Sequence, residues 1–290
     1  MTTNRFNIPE VFVRSMESMA HTTGGAQYSV TQLIDSAQIA HLKRKHEASL
    51  VEDVNDLAAS WMGSAIHEIL ADSVDSKGGE MAEKRFHSQL GACSLSGSAD
   101  LLTPLSPVSD DITERRYKIS DYKTTSVASY MHNMEGKAEH IAQLNMYRWL
   151  CERNGISVDE LEIIFVLKDW SKIAGKRTSN YPDAFVKVLP VEPWTLEYTQ
   201  TYIEGRIKAH TAPVPEPCTK EEQWRSETRY AVVKPGAKRA TKLCNTRTEA
   251  MSYINENMLI ADIEDRPGRA TRCEDYCPVR DFCEQRRGEQ

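Results

Sequence analysis

The 290-residue sequence has no apolar run approaching the roughly 18 residues that a membrane helix needs, so a helical membrane span is excluded. Its first twenty residues, MTTNRFNIPEVFVRSMESMA, lack the basic-then-apolar profile of a secretory signal. Internal repeats and low-complexity stretches are also missing. No Gly-x4-Gly-Lys-Ser/Thr loop occurs, so the chain carries no recognisable ATP motor. His67-Glu68 opens a zinc-protease pattern, but Ala71 stands where the second histidine belongs. These absences predict a soluble, cytoplasmic protein with no membrane partner. What is present is ample for a core: 40% of residues are hydrophobic, so global disorder is excluded. The length suits one large or two ordinary domains. A net charge of -6, from 36 Lys+Arg against 42 Asp+Glu, argues at first sight against nucleic acid. Seven cysteines are many for a reducing compartment.

Residues 1–28 show few periodic apolar positions and predict a loosely held arm. A cap-type residue near Ser29 to Thr31 precedes Leu33, Ile34, Ala37 and Ala40 at helical spacing. A second helix carries Leu57, Trp61, Ala65, Ile66, Ile69 and Leu70. Residues 84–90, 94–102 and 116–123 tend towards strand alternation, and 103–114, rich in Pro, Ser and Asp, reads as a loop. A helix over Ile141, Leu144, Tyr147, Trp149 and Leu150 ends at Asn154-Gly155. Strands over 161–167 and 184–191 precede a helix over 193–210. The order predicts an α/β fold, a central mixed sheet flanked by helices, with a core over residues 29–212. Pro213, Pro215 and Pro217 mark a boundary. Residues 213–290 then form a small module: a hairpin of 229–233 and 239–243 about Pro235-Gly236, a helix over 248–257, and a cysteine-bearing tail.

Asp100 lies in Gly97-Ser-Ala-Asp100, near the end of one predicted strand. Asp121 and Lys123 lie two apart on the next, so they share a face. Two carboxylates and a lysine at one sheet edge suit a hard divalent cation and a proton acceptor or charge stabiliser. An acid-x-Lys pair on its own reads equally as a surface ion pair. His67 alone reads as a packed core histidine, and Tyr147 as a plain core residue.

The ordered set is more telling than its members. His67 on a helix, Gly97-x-x-Asp100 on a strand, Asp121-Tyr-Lys-Thr124 on a strand and Gln143-x-x-x-Tyr147 on a helix resemble the RecB-type branch of the PD-(D/E)XK nuclease superfamily. The likeness spans roughly residues 29–150. Ala99 stands where a proline is frequent and Thr125 where a glycine is common. The resemblance implies metal ligation by His67, Asp100, Asp121 and the backbone carbonyl of Tyr122. It also implies Lys123 as the catalytic lysine, with Gln143 and Tyr147, one helical turn apart, supporting the metal site or contacting DNA. Mg²⁺ or Mn²⁺ would be the cofactor, and cleavage would leave a 5′-phosphate.

Cys273, Cys277 and Cys283 fall within the last eighteen residues, and Cys218 follows the proline boundary. Clustered thiols in an intracellular chain point to metal rather than disulfides, and four thiolates suit zinc or an iron-sulfur cluster. Cys-x2-Cys pairs, the usual zinc hallmark, are missing. One distant cysteine plus a C-terminal trio resembles AddB-type and CRISPR-adaptation nucleases of the same superfamily, which implies a structural 4Fe-4S cluster, with Zn²⁺ as the alternative. The Cys218 to Trp224 and Arg229 to Val233 segments also look like phage and prophage exonucleases. Cys93, Cys151 and Cys244 read as free cysteines, Cys244 being the fallback ligand.

Between Arg225 and Arg247 lie Arg225, Arg229, Lys234, Lys238, Arg239, Lys242 and Arg247 against the single acid Glu227, a local +6 that leaves -12 on the rest. This run reads either as a clamp on DNA phosphates or as a solvated hairpin. Trp224 and Tyr230 read as stacking platforms for unpaired bases or as packing, and HLKRKH (His41 to His46) as a second DNA contact or one helix face. The resemblance thus implies an exonuclease acting on linear DNA in phage-type recombination, repair or replication-linked processing, alongside a single-strand annealing or recombination partner. Its rivals are a non-catalytic DNA-binding or assembly subunit, a structure-specific endonuclease, and a CRISPR-adaptation-like trimming nuclease.

Overall fold

A computed structural model describes residues 2–18, 23–105 and 115–288. It divides into two compact units, Met1–Ala40 with Val51–Pro215, and His41–Leu50 with Glu216–Gln290. Along the first unit run β1 (Thr2–Thr3), α1 (Glu10–Glu17), β2 (Tyr28–Ser29), α2 (Val30–Ile34), α3 (Ala37–Lys45), β3 (Glu52–Asp53), α4 (Ala58–Ala71) and β4 (Met81–Leu90). Then come β5 (Cys93–Pro104), β6 (Arg116–Thr125), α5 (Val127–His132), α6 (Ala138–Arg153), β7 (Ser157–Leu167), α7 (Lys172–Gly175), β8 (Val186–Val191) and α8 (Leu196–Thr211). The C-terminal part of α3 belongs to the second unit.

The central sheet is mixed, in the order β2-β5-β6-β7-β8 with β4 also paired to β5. β4 and β5 form an antiparallel hairpin closed at Leu90↔Cys93, where Gly91 takes φ +60°. β6 and β7 run parallel, so a crossover is required, and α5 and α6 supply it. α6 is buried over much of its circumference, with Leu144, Met146, Trp149, Leu150 and Cys151 in the core. It stops where the sequence says it should: Gly155 takes φ +76° and Ile156 N–H bonds back to Cys151 O at 3.0 Å, a left-handed C-terminal cap.

Three local expectations shift. The arm over 1–28 is structured over its described residues. β1 pairs with β3, and the buried Asp53 carboxylate accepts from Thr3 Oγ1 (2.8 Å), Arg5 N (3.0 Å) and Asn55 N (3.2 Å). α1 buries Val13 and Met16 beside Val54, too few apolar positions to announce a helix. The helix expected from Ser29 is two: Ser29 and Gln32 form a capping box, and Asp35 turns extended before α3 begins. β5 runs to Pro104, into the expected loop, whose residues 106–114 lie outside the described ones.

The second unit holds β9 (Arg229–Val233), β10 (Lys242–Cys244), α9 (Arg247–Glu256), β11 (Asp262–Arg266) and α10 (Glu284–Gly288). The predicted hairpin forms between β9 and β10, with Gly236 at φ +76° in its turn. β11, too charged to read as a strand, adds to the other edge of β9. Val232, Cys244 and Ala250 form a small core with Tyr230, Tyr253 and Ile263. The division falls after Pro215 rather than before Pro213. Residues 41–50 join this unit, where the His46 ring stacks on Phe282 at 4.2 Å, a pairing that sequence separation hides. Among the described residues, no helix is long and apolar enough to cross a membrane.

Candidate active site

The site lies at a fork in the sheet. The β5–β6 ladder runs from Pro104↔Tyr117 to Leu101↔Ser120 and stops, while β6 continues along β7 to Thr125↔Leu167. Asp100 and Asp121 are the next residues on each strand. The Tyr122 N–H, pointing into the fork, donates to Asp100 Oδ2 at 2.7 Å. Asp121 is fully buried and Asp100 nearly so.

From α4, His67 places Nε2 3.1 Å from the Tyr122 carbonyl, and Nδ1 3.5 Å from Asp100 Oδ1 and 3.7 Å from Glu83 Oε1. Burial of Asp100, then the charge of Asp121, pushes the Asp100 pKa up to about 7, against the pull of His67 and Lys123. Burial lowers the basicity of His67, but Glu83 and Asp100 outweigh it and raise its pKa. So many acids in a dry fork disfavour one another's ionised forms, and a divalent cation would relieve that.

Glu83 is the member that sequence reasoning missed. Ala82↔Leu101 and Lys84↔Ala99 bracket it, so it stands opposite Asp100, with a left-handed backbone at φ +47°. A non-glycine residue there is uncommon and costs on the order of 1–3 kcal/mol. The ligand atoms of His67, Glu83 and Asp100 lie within 4.8 Å of one another, the one such group among the described residues. Counting back along both strands from the Gly91-Ala92 turn would have exposed it. One nitrogen and two carboxylates suit a hard divalent cation. So does Asp121, whose oxygens are buried and lack a well-aligned hydrogen-bond donor. Of the implied ligands, Asp121 lies outside the close triad and the Tyr122 carbonyl faces His67 Nε2.

Lys123 and Asp121 make an ion pair at 2.5 Å. Lys123 Nζ also donates to Gln143 Oε1 (3.0 Å), and Gln143 Nε2 to Tyr147 Oη (2.7 Å). Tyr147 is buried, which raises its pKa well above the usual phenol range. The resulting line, Tyr147–Gln143–Lys123–Asp121, fixes the ammonium. It depends on Gly97: a Cβ there would fall 2.8 Å from two Tyr147 ring carbons and 2.9 Å from Leu150 Cδ1.

None of the seven cysteines is joined in a disulfide, the four candidate cluster ligands of the second unit included. Cys218, Cys277 and Cys283 are buried. Gln285 grips the Cys218 backbone twice, accepting from its N–H (2.9 Å) and donating to its carbonyl (3.0 Å), which ties Cys218 to the turn after Cys283. Buried Gln223 donates to the same carbonyl (3.2 Å), and its own carbonyl accepts from Arg272 N (3.0 Å), next to Cys273. Burial, with Cys283 close by, pushes the Cys277 thiol up. By donor type four thiolates suit either a cluster or zinc, although no three of these sulfurs lie within 4.8 Å of one another. Cys244 packs in the β9–β10 core and Cys151 in the large one, where burial lifts its thiol to about 12.

The basic run is spread over the second unit. Arg229, Lys234, Lys238, Arg239 and Lys242 are exposed, whereas Arg225 donates to Gln223 at 2.7 Å and Lys242 lies over the Tyr253 ring. β11 sets Asp265 opposite Tyr230 and pairs it with Arg247 at 2.7 Å, so the local charge is smaller than the linear count. Trp224 packs between Arg272 (5.2 Å) and Tyr276 (5.7 Å).

Comparison with curated proteins gives no match. Among solved structures, the crystal structure of SSO0001 is similar at 14% identity and a TM-score of 0.46, over 70% of this chain and 86% of that one. Against known families, residues 81–284 match the PD-(D/E)XK nuclease superfamily. The match covers well over half of the sequence and takes in the forked strands and helix α6, and the chain therefore belongs to the PD-(D/E)XK nuclease superfamily.

Proposed function

We propose that this protein is a Mg²⁺- or Mn²⁺-dependent DNA exonuclease. It would act from free ends in phage-type recombination, repair or replication-linked processing. The observation that carries the nuclease chemistry is the fork itself, where buried Asp100 and Asp121 converge with Lys123 held between Asp121 and Gln143. Bound there by His67, Glu83, Asp100 and Asp121, a divalent cation would supply a Lewis acid for phosphoryl oxygens and a more acidic water. Lys123, held by Asp121 and Gln143, donates to the non-bridging phosphoryl oxygens where charge develops. Gln143 and Tyr147 keep it aimed.

The second unit is assigned a structural 4Fe-4S cluster on Cys218, Cys273, Cys277 and Cys283, supported by the Gln285 and Gln223 ties that gather these segments. Exposed Arg229, Lys234, Lys238, Arg239 and Lys242 are assigned to DNA phosphates.

The test is digestion of end-labelled linear DNA and of circles with Mn²⁺. Wild-type protein should shorten linear DNA and spare circles, and Asp121→Ala should be inert while folded. Equal cleavage by that variant overturns the site, and nicking of circles overturns the preference for ends. Protein purified without oxygen should be brown, absorbing near 400 nm; a colourless protein with stoichiometric zinc overturns the cluster.

A further inference from the structure

A pocket opens beside Lys123. It has a volume of about 140 Å³, where a single water needs only roughly 10–15 Å³ by the same measure. Its wall takes Lys123 and Thr124 from β6, Ser129 and Asn133 from α5 and the turn after it, and Lys137 and His140 from the start of α6. No carboxylate lines it. Tyr130 and Phe165, packed edge to face at 5.3 Å, close its floor.

The polar groups here are built for a guest. The His140 Nδ1 atom is buried with no hydrogen-bond partner, and an unsatisfied buried polar atom costs on the order of 1–3 kcal/mol. α6 starts at Lys137 without a side-chain cap, so the positive end of a sixteen-residue helix also faces this region. Burial, then Lys123 and Lys137, drops the His140 pKa to about 3, so a neutral imidazole stands among cations. Lys123, whose ammonium also pairs with Asp121, Lys137, 3.9 Å from Glu139, the Ser129 hydroxyl, an imidazole and a helix N-terminus, with no acid on the lining itself, select an anion that accepts several hydrogen bonds.

We propose that this pocket binds a phosphate of the substrate strand adjacent to the scissile one, with Lys137, Ser129 and His140 as its donors. The proposal rests on the nuclease reading, since the shared Lys123 is what sets the two phosphates side by side. It gives the site a register along the strand. The phosphate is either internal or terminal, and the experiment separates the two.

The full chain carrying Asp121→Ala, which keeps DNA intact, is titrated with a labelled oligonucleotide by fluorescence anisotropy over a range of salt. Lys137→Met should lower the slope of log K against log salt by about 0.7–0.9, one phosphate contact. Ser129→Ala should weaken binding about tenfold, and Thr125→Val, on the Lys123 face of β6, replaces it if the alanine variant fails to fold. A methylphosphonate at the neighbouring position should weaken binding by a similar factor in the parent and add nothing in Ser129→Ala. A terminal phosphate is the ligand if removing the oligonucleotide's 5′-phosphate reproduces that loss; an internal one is, if it does not.

Unchanged slopes, or losses that simply add, overturn the pocket. Cleavage of unmodified DNA by the chain with Asp121 intact reads the nuclease assignment separately. Cleavage with uncoupled losses sinks the pocket alone, and coupled losses without cleavage sink the catalytic assignment alone. No binding of DNA at all sinks both.

Discussion

Replacing Gly97 by alanine tests whether Lys123 is positioned through the packing of α6 on β5. The new Cβ would meet Tyr147 Cδ1 and Cε1 at 2.8 Å and Leu150 Cδ1 at 2.9 Å. Carbon atoms rest at about 3.5–4.0 Å, so the ring and the leucine must withdraw by roughly 0.6 Å or more in a core where both are buried. Overpacking of this kind costs about 1–3 kcal/mol. Gly97 has no positive φ, so alanine suits the backbone and restricts the unfolded chain, returning about 0.4–1 kcal/mol. The net loss is about 1–2 kcal/mol, or a Tm lowered by roughly 2–8 °C at 2–4 °C per kcal/mol. Activity should fall further than stability does, because moving the Tyr147 ring breaks its 2.7 Å bond from Gln143, the other end of which holds Lys123. Gly63 in α4 is the control: nothing lies within 4 Å of its added Cβ, so alanine there should raise stability by about 0.5–1 kcal/mol through helix propensity. Thermal unfolding and DNA cleavage are measured on both variants. A Gly97→Ala protein with wild-type Tm refutes the packing argument, and one with a lowered Tm but full cleavage refutes the link to Lys123.

Glu83→Gln keeps the shape of the side chain but removes its charge from the His67–Glu83–Asp100 triad; Mn²⁺ affinity by calorimetry should fall about 10- to 100-fold, and an unchanged affinity removes Glu83 from the site. Tyr147→Phe deletes the oxygen that accepts from Gln143 and should slow cleavage about tenfold, one ordinary hydrogen bond, with metal affinity intact; a parallel loss of metal would point to general disruption. Asp53 is held near a pKa of about 2, chiefly by the Arg5 N–H and also by Thr3 and Asn55. Because its folded value is depressed, its hold on the N-terminal segment is present above the ordinary carboxylate pKa and lost as pH falls from about 4 through 2. Hydrogen exchange of residues 2–17 should accelerate in Asp53→Asn at neutral pH, and equal protection in both proteins would show that β1 and α1 dock without that carboxylate.

Most of the sheet and most of the residues that gather at the fork were legible because their signals are local. Asp121 and Lys123 share a face by alternation alone, and Gln143 and Tyr147 by one helical turn. Glu83 was missed because its role depends on a left-handed backbone, which composition does not reveal, and on the register of a hairpin, which only counting back from the Gly91-Ala92 turn gives. The N-terminal docking was hidden for a related reason: it is made by one buried carboxylate and two-residue strands, with little apolar periodicity. The membership of residues 41–50 in the second unit rests on a stack between His46 and a phenylalanine more than 200 positions away, beyond any window over the sequence. Charge counting overstated the basic run because β11, unread as a strand, sets acids beside it.

These departures share a cause. A sheet built for stability alone would continue the β5–β6 ladder past Leu101↔Ser120 and place apolar residues at 100 and 121. Here the ladder stops, Tyr122 N–H takes a carboxylate partner instead of a strand, Glu83 adopts a disfavoured backbone, and a carboxylate with no well-aligned donor is buried. Each feature is unfavourable in isolation, and each becomes favourable around a multivalent cation: the acids gain a counter-charge, and the strained backbone supplies a ligand that a regular strand would aim elsewhere. The cost falls on one short stretch because the surroundings are rigid. α6 is packed into the core almost all round, β6 remains bonded to β7 along its length, and only the edge facing β5 is released. Stability is thus surrendered where the sheet opens and kept where Lys123 needs a fixed position, which is why local sequence rules fail at Glu83 and hold at α6.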